Sequence, residues 1–169
     1  MTTIRLATLA DAGLLPVIEQ SAGLRFQEAP GLEWIADDDN TPAEAYPPFI
    51  DAGTVWVAEQ YCQPIGFLAA TVEGEALHVL ELAVAREAQG RGAGRALMAV
   101  AAEKARALGL ASLTLTTFRD LAWNEVFYGR LGYRTLAREE VDPRLAGYLA
   151  KEIERGLPGE RRCAMRLDL

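Results

Sequence analysis

Short apolar or alternating runs mark seven segments of the chain, and apolar residues spaced three or four positions apart mark several others. The first pattern is typical of β-strands, and the second is typical of helices that bury one face. The predicted strands cover residues 4–7, 55–60, 65–72, 77–84, 113–117, 133–139 and 162–167. Short turns join the three strands between residues 55 and 84, which favours a meander, and the last strand is predicted at a sheet edge.

Two helices are predicted before residue 50. Thr8 and Asp11 have the spacing of a capping box, which predicts a helix from there to about residue 26. The polar stretch 27–40 is predicted to be irregular. A second, short helix is predicted to start at residues 41–44, and the pair Pro47-Pro48 is predicted to bend or end it.

Three further helices are predicted in the second half of the chain. They cover residues 96–108, ended by Gly109, residues 123–131, and a segment from Asp142-Pro143 to Gly156. Strands and helices therefore follow in the order β-α-α-β-β-β-α-β-α-β-α-β, which predicts an α+β fold with one mixed sheet of about six or seven strands.

A glycine-rich segment joins the predicted strand 77–84 to the helix 96–108. It reads Gln89-Gly90-Arg91-Gly92-Ala93-Gly94-Arg95. Glycines remove the Cβ atoms that would keep a ligand from the backbone, and the free N–H groups of a helix N-terminus attract anions. The segment therefore favours a phosphate-binding loop, although a flexible turn explains the glycines equally simply.

Two nucleotide-binding motifs do not fit this segment. A Walker loop requires Lys-Ser/Thr after its last glycine, where this chain has Arg95-Ala96. The dinucleotide fingerprint requires G-x-G-x-x-G and an acidic residue about 20 positions later, and neither is present. A domain that binds ATP or NAD is therefore disfavoured.

The pattern Q/R-x-x-G-x-G/A does fit, as Gln89, Gly92 and Gly94, and a second motif follows about 35 residues later. This second motif, Phe127-Tyr128-x-x-x-Gly132-Tyr133, and the first together resemble the GNAT superfamily of N-acetyltransferases. The string from Phe118 to Asn124 looks like a subgroup with T-F-R-D-x-x-W-N. The resemblance implies a GNAT fold whose sheet is splayed between strands 4 and 5.

The resemblance also implies acetyl-coenzyme A as co-substrate. Its pyrophosphate would lie on the loop from Gln89 to Arg95, including Gly90, Arg91, Gly92, Ala93 and Gly94. Main-chain amides of Leu82, Ala83 and Val84 would hold the acetyl group. Asn124 departs from the usual position of the family's asparagine, so it either contacts coenzyme A or orders the turn at Asp120.

Three side chains are candidates for acid and base chemistry. Tyr128 has the place of the family's tyrosine that faces the thiolate, and it is the candidate general acid. Glu81 interrupts an apolar strand, where an unpaired carboxylate would be costly. His78 precedes Gln89 by eleven residues, a position from which some family members project a base, and imidazole titrates near neutral pH. The base is therefore Glu81, His78 or water.

The acceptor site is less defined by the sequence. The family places it between the loop that joins the first two helices and the last hairpin. This implies Phe26, Trp34 and Tyr46, with Arg144 and Tyr148 beyond them. Exposed aromatic residues beside the acids at 37–39 would suit an amine with an apolar arm.

Composition narrows the class of protein. With 169 residues, half of them apolar, the chain is predicted to form one acetyltransferase domain over residues 1–169. Cys62 and Cys163 have no partner motif, so they are predicted to be reduced thiols in a cytoplasmic, metal-free protein. A signal peptide and an apolar run of ~20 residues are both missing from the sequence, which predicts no membrane association. The net charge of −7 argues against nucleic-acid binding.

The sequence thus predicts an acyltransferase that moves an acetyl group from acetyl-coenzyme A to a primary amine of a small molecule or peptide. Direct attack in a ternary complex is expected, because neither cysteine lies in a nucleophile motif. A catalytically idle acyl-coenzyme A sensor or interaction module is the alternative. A homodimer is expected from the family's habit alone.

Overall fold

The computed structural model of this chain, which describes all 169 residues, contains seven strands and five α-helices. The strands are β1 (Thr3–Leu6), β2 (Val55–Gln60), β3 (Gln63–Glu73), β4 (Ala76–Val84), β5 (Ser112–Phe118), β6 (Arg134–Thr135) and β7 (Arg162–Asp168). The α-helices are α1 (Leu15–Gly23), α2 (Pro47–Asp51), α3 (Ala93–Ala107), α4 (Glu125–Arg130) and α5 (Pro143–Glu154). Not one of these helices combines the length and the apolarity that crossing a bilayer demands.

The strands form one sheet in the order β1-β2-β3-β4-β5-β7-β6. The pairs β1–β2, β2–β3, β5–β7 and β6–β7 are antiparallel, and β4–β5 is parallel. Strands β4 and β5 pair only where Ala76–His78 meets Ser112–Thr114, and their C-terminal halves are not paired with each other. The predicted α+β class and the splay between strands 4 and 5 are confirmed.

Two predictions for the first fifty residues are wrong in detail. The Thr8 amide donates to the Asp11 carboxylate at 2.7 Å, as the capping box predicts, but it opens a 3-10 turn, and α1 begins only at Leu15. Pro47 and Pro48 begin α2 rather than bending or ending a helix. A proline at the first helical position loses nothing, because its missing N–H would have no intrahelical partner there.

Residues 133–139, predicted as one strand, contain the two-residue β6 followed by a 3-10 turn at Arg138–Glu140. Strand β7 is paired on both sides, so the predicted edge position belongs to β6 instead. The helix predicted from Asp142 is confirmed. The Asp142 carboxylate accepts the Leu145 amide at 2.8 Å, and Gly156 follows the helix with φ +101°.

Backbone contacts divide the chain into two compact units, Met1–Thr71 with Leu80–Lys104, and Val72–Val79 with Ala105–Leu169. The first unit has a core of buried side chains from α1, α2, β2, β3 and β4, among them Leu15, Ile50, Val57, Phe67 and Ala83. In the second unit Leu136, Leu145 and Ala164 form a smaller cluster. That residues 1–169 act as one acetyltransferase domain stays a prediction.

Candidate active site

The glycine-rich segment connects β4 to α3, as the sequence predicts. Gly90 and Gly92 have φ of +77° and +91°, and apart from their immediate chain neighbours no residue comes within 4 Å of the position a Cβ would occupy at either glycine. The backbone therefore takes a conformation that favours glycine and leaves open space beside it. Helix α3 begins at Ala93, three residues before the predicted start at residue 96, so Gly94 lies in its first turn.

The N-terminus of α3 has unused hydrogen-bond donors. The Ala96 amide, which donates to the Gly92 carbonyl at 3.0 Å, is the first to make a helical hydrogen bond, so the amides of Ala93, Gly94 and Arg95 before it have no helical acceptor. Aligned peptide dipoles make this end of a 15-residue helix electropositive. The loop and the helix end together form a geometry suited to a phosphate.

Gln89 holds this loop through its side chain. Its Nε2 donates to the Val84 carbonyl at 2.9 Å and to the Ala22 carbonyl at 3.5 Å. The neighbouring Arg86 amide donates to the Ser21 hydroxyl at 2.9 Å. The side chain of Gln89 therefore fastens the loop to α1 and to the end of β4.

The arginines near the loop differ in their availability to a ligand. Arg86 forms an ion pair with Glu28 at 3.1 Å, so its charge is already partly neutralised. Arg91 and Arg95 are exposed, and neither forms an ion pair. These two side chains are the positive charges most accessible to an anion at this loop.

The segment Leu82–Val84 ends β4, and Gly66 of β3 lies close against it. A Cβ at Gly66 would lie 3.0 Å from the Ala83 carbonyl oxygen and 3.2 Å from Val84 Cγ2. Such distances are tighter than ordinary van der Waals contact, so glycine allows the two strands to approach here without displacement of Ala83 or Val84. This contact fixes the backbone to which the resemblance assigns the acetyl group.

Glu81 is partly buried on β4 and lies near the phenol of Tyr46. Tyr46 is 3% exposed, and its ring packs edge-on against Phe67 with centroids 5.6 Å apart. Its hydroxyl makes no hydrogen bond of ordinary geometry. Burial first, and then the carboxylates of Glu19 and Glu81, raise the pKa of Tyr46, while the Thr41 side chain acts in the opposite direction.

His78 lies in a closed polar cluster of the second unit. It is 1% exposed, its Nδ1 is 2.9 Å from the Thr114 hydroxyl, and its ring stacks on Tyr148 with centroids 4.1 Å apart. Burial, and then the charge of Arg144, lower the pKa of His78 to about 3, against a smaller opposite effect of Asp142. The imidazole is therefore neutral and weakly basic near pH 7.

The Thr114 hydroxyl links Arg144 to His78. Its oxygen accepts from Arg144 Nη2 at 3.1 Å and lies 2.9 Å from His78 Nδ1. A hydroxyl that donates to Nδ1 leaves the imidazole proton on Nε2, whereas one that accepts from Nδ1 leaves Nε2 without a proton. These contacts give His78 a structural position under α5.

Tyr128 lies on α4 and is 9% exposed. Its ring contacts Phe127 and Tyr133 edge-on, with centroids 5.1 Å and 6.0 Å away. Its amide donates to the Asn124 carbonyl at 3.0 Å. The aromatic contacts fix the direction of the phenol, as a positioned proton donor requires.

Asn124 uses its side chain within the protein. Its Oδ1 accepts from the Thr117 hydroxyl at 2.6 Å and from the Phe118 amide at 3.3 Å, at the end of β5. The turn at Asp120, where φ is +62°, is held instead by Glu125, which accepts the Asp120 amide at 2.9 Å. The side chain of Asn124 therefore holds the end of β5 rather than the turn at Asp120, and its contact with coenzyme A stays a prediction.

Two of the predicted acceptor residues of the first unit lie on 3-10 turns, and the third, Tyr46, directly precedes α2. Phe26 is half-buried on the turn Leu24–Glu28, and Trp34 is 41% exposed on the turn Glu33–Asp37. The structure thus places exposed aromatic surface in the segment between α1 and α2.

Residues 51–135, half of the chain, match the sequence profile of the acetyltransferase (GNAT) domain. This chain belongs to the GNAT family. The PaiA N-acetyltransferase from Thermoplasma acidophilum, solved in complex with coenzyme A, superposes with a TM-score of 0.73 at 16% identity. That match covers 100% of this chain and 99% of the other. The predicted GNAT fold is confirmed.

Two further GNAT structures show the same fold. N-acetylglutamate synthase from Neisseria gonorrhoeae, complexed with coenzyme A and N-acetylglutamate, matches with a TM-score of 0.73 at 19% identity over 100% of this chain. This chain spans 35% of the length of that enzyme. The ribosomal-protein-S18-alanine N-acetyltransferase from Escherichia coli matches with a TM-score of 0.68 at 17% identity, over 99% of this chain and 94% of the other.

The sequence does not identify the residues that hold the two GNAT motifs in position. Glu125 lies two residues before the second motif, and it accepts hydrogen bonds from the Thr135 hydroxyl at 2.6 Å and from the Asp120 amide at 2.9 Å. Gly66 lies in an apolar strand, where a glycine often indicates a close approach of another backbone. That signal was available in the sequence. The pairing of Arg144 with Thr114 had no local signal, because 30 residues separate them.

Proposed function

We propose that this GNAT domain, extending over residues 1–169, transfers the acetyl group of acetyl-coenzyme A to a primary amine of a small molecule or peptide. The observation that carries the proposal is the open loop with positive φ at Gly90 and Gly92, followed by the free amides at the start of α3. Coenzyme A in the related structures from N. gonorrhoeae and T. acidophilum supports this choice of co-substrate.

The reaction proposed is direct attack within a ternary complex. The neutral amine nitrogen forms a bond to the thioester carbon, and the carbon–sulfur bond then breaks. The amine proton passes to Glu81, directly or through water, and the leaving thiolate takes a proton from the Tyr128 hydroxyl. The products are an amide and free coenzyme A.

The low pKa and the burial of His78 favour Glu81 as the base. A general base works best when its pKa lies near the operating pH, and the pKa of His78 is about 3. His78 is also buried beneath Tyr148. Glu81 is partly exposed, and it lies near the buried phenol of Tyr46, which belongs to the predicted acceptor region.

Release of free thiol from acetyl-coenzyme A, measured across a panel of amines, tests the proposed function. Polyamines, arylalkylamines, amino-sugar compounds and short peptides cover the main amine types. We expect amine-dependent thiol release and one acetylated product with at least one of them. Binding of acetyl-coenzyme A without thiol release for any amine would favour the alternative of a catalytically idle acyl-coenzyme A sensor.

Replacing Glu81 by glutamine is expected to lower kcat/KM by about 10²-fold and to flatten the acidic limb of its pH profile. Glutamine keeps the size of the side chain but cannot accept the amine proton. The matched variant is His78→Gln, which should lower the melting temperature and leave the acidic limb unchanged. If the acidic limb of the pH profile flattens in His78→Gln and persists in Glu81→Gln, then His78 and not Glu81 is the base.

Replacing Gly66 by alanine is expected to lower kcat more than the affinity for acetyl-coenzyme A. The new Cβ would push on Ala83 and Val84, at the backbone proposed to hold the acetyl group. Overpacking of this kind costs about 1–3 kcal/mol of stability. Gly147→Ala is the control, because a Cβ there has open space on α5 and should stabilise the helix. If Gly66→Ala and the wild type have equal kinetics, the close contact of Gly66 with Ala83 and Val84 does not help to hold the acetyl group.

A further inference from the structure

A cavity of about 290 Å³ lies at the first residues of β4, β5 and α5, within the second unit. Charged side chains of both signs line it: Glu73, Glu75, Asp142, Arg144 and Arg166. Of its lining residues, Arg144 alone is implied at the margin of the acceptor site, and the others have no role in the proposed acetyl transfer. Its volume is close to the lower end of ligand pockets, about 300–1,000 Å³, which suits a small ligand.

The guanidinium of Arg144 is only partly satisfied. Its Nη2 donates to the Thr114 hydroxyl, but its buried Nη1 makes no hydrogen bond. The carboxylate of Glu73 is 3.9 Å from Nη1, beyond hydrogen-bond distance, and its other oxygen accepts from the Tyr148 hydroxyl. A buried guanidinium nitrogen without an acceptor is costly, and a carboxylate from a ligand would relieve that cost after a small side-chain movement.

The second arginine adds further donors. Arg166 is 36% exposed at its side chain, and its Nε donates to Asp168 at 2.6 Å. Its two terminal nitrogens make no hydrogen bond within the protein, so they remain available at the cavity. Arg144 and Arg166 thus supply donors from two different elements, α5 and β7.

Acceptors for a cation line the same cavity. The carboxylate of Glu75, in the turn between β3 and β4, makes no hydrogen bond or ion pair, while its main-chain carbonyl accepts the Ala111 amide at 2.8 Å. Asp142 caps α5 with only one carboxylate oxygen, which accepts the Leu145 amide. Both carboxylates therefore keep acceptor capacity for an ammonium group.

We propose that this cavity binds a small zwitterion that carries one carboxylate and one ammonium group, as a free α-amino acid does. The carboxylate accepts hydrogen bonds from Arg144 and Arg166, and the ammonium donates to Glu75 and Asp142. In this cavity three carboxylates would repel a simple anion, and two guanidinium groups would repel a simple cation. A molecule with both charges is therefore favoured over either one alone.

The test is calorimetric titration of the 169-residue protein, without acetyl-coenzyme A, with the twenty common amino acids. At least one is expected to bind with a Kd in the millimolar range or tighter. Its N-acetyl derivative lacks the ammonium, and its amide lacks the carboxylate, so each should bind at least about tenfold more weakly. Because acetyl-coenzyme A is left out, the result does not depend on the proposed acetyl transfer.

Two variants locate the binding site. Arg166→Gln and Glu75→Gln remove one charge each and should weaken binding at least about tenfold. Arg138→Gln and Glu139→Gln are the matched controls, since both side chains are exposed and line no part of the cavity, and binding should be unchanged. Melting temperatures of all four variants check that they are folded. No binding by any amino acid, or binding that both cavity variants leave unchanged, would overturn the proposal.

Discussion

Replacing Tyr128 by phenylalanine is expected to lower kcat by roughly 10²- to 10⁴-fold while acetyl-coenzyme A binds almost as before. The ring of Tyr128 packs against Phe127 and Tyr133, and phenylalanine preserves these contacts. The substitution therefore removes only the hydroxyl, which the reaction needs when the thiolate leaves. An interaction made only in the transition state lowers kcat and kcat/KM together when it is lost.

Tyr133→Phe is the matched control for this prediction. Tyr133 is 5% exposed, its hydroxyl is buried without a hydrogen bond, and burial raises its pKa. Losing that hydroxyl should leave kcat unchanged and should not lower the melting temperature, because no hydrogen bond is broken. Steady-state kinetics and calorimetric titration of coenzyme A on both variants separate chemistry from binding. If Tyr128→Phe loses activity only in proportion to lost cofactor affinity, its role is structural.

The parts of the fold that depend on local signals could be predicted from the sequence. Asp142-Pro143 gave the start of α5, because a side-chain cap and a first-turn proline act within four residues. The prediction for Pro47-Pro48 is wrong because proline ends a helix when it lies in the interior but starts one when it lies at the first position. Local sequence alone does not decide between these two positions when the preceding residues also favour a helix.

The sheet could be predicted less well at its second edge. The order β5-β7-β6 inserts the last strand between two earlier ones, and this is a matter of long-range pairing. Strand β6 has only two paired residues, Arg134 and Thr135, opposite Arg166 and Met165. An alternating pattern predicts an extended segment, but it does not say how many of its residues find a partner strand.

The candidate site also has one part that could be predicted from the sequence and another that could not. The loop from Gln89 to Arg95 could be predicted because the glycines, the strand before them and the helix after them are contiguous. The environment of His78 could not be predicted, because Thr114, Arg144 and Tyr148 approach it from β5 and α5. From the sequence alone, a histidine on a strand is expected to have an ordinary pKa. The residues that surround His78 in the folded protein lower its pKa to about 3.

Replacing Gly92 by valine is expected to weaken acetyl-coenzyme A binding far more than its effect on stability explains. The φ of +91° strains any L side chain, at a cost of about 1–3 kcal/mol. Apart from the immediate chain neighbours, no residue comes within 4 Å of the new Cβ, so the side chain occupies open space beside the start of α3. If the pyrophosphate uses that space, the valine excludes it directly.

Gly109→Val separates strain from ligand exclusion. Gly109 follows α3 with φ +71°, and its Cβ position is equally open, so the two substitutions impose a comparable strain. We expect a similar fall in melting temperature for both variants, and a loss of coenzyme A affinity of at least about tenfold for Gly92→Val alone. Ten-fold corresponds to about 1.4 kcal/mol, well within calorimetric resolution. Normal binding by a destabilised Gly92→Val would mean that Gly92 only shapes the turn, and the phosphate site would then have to lie elsewhere.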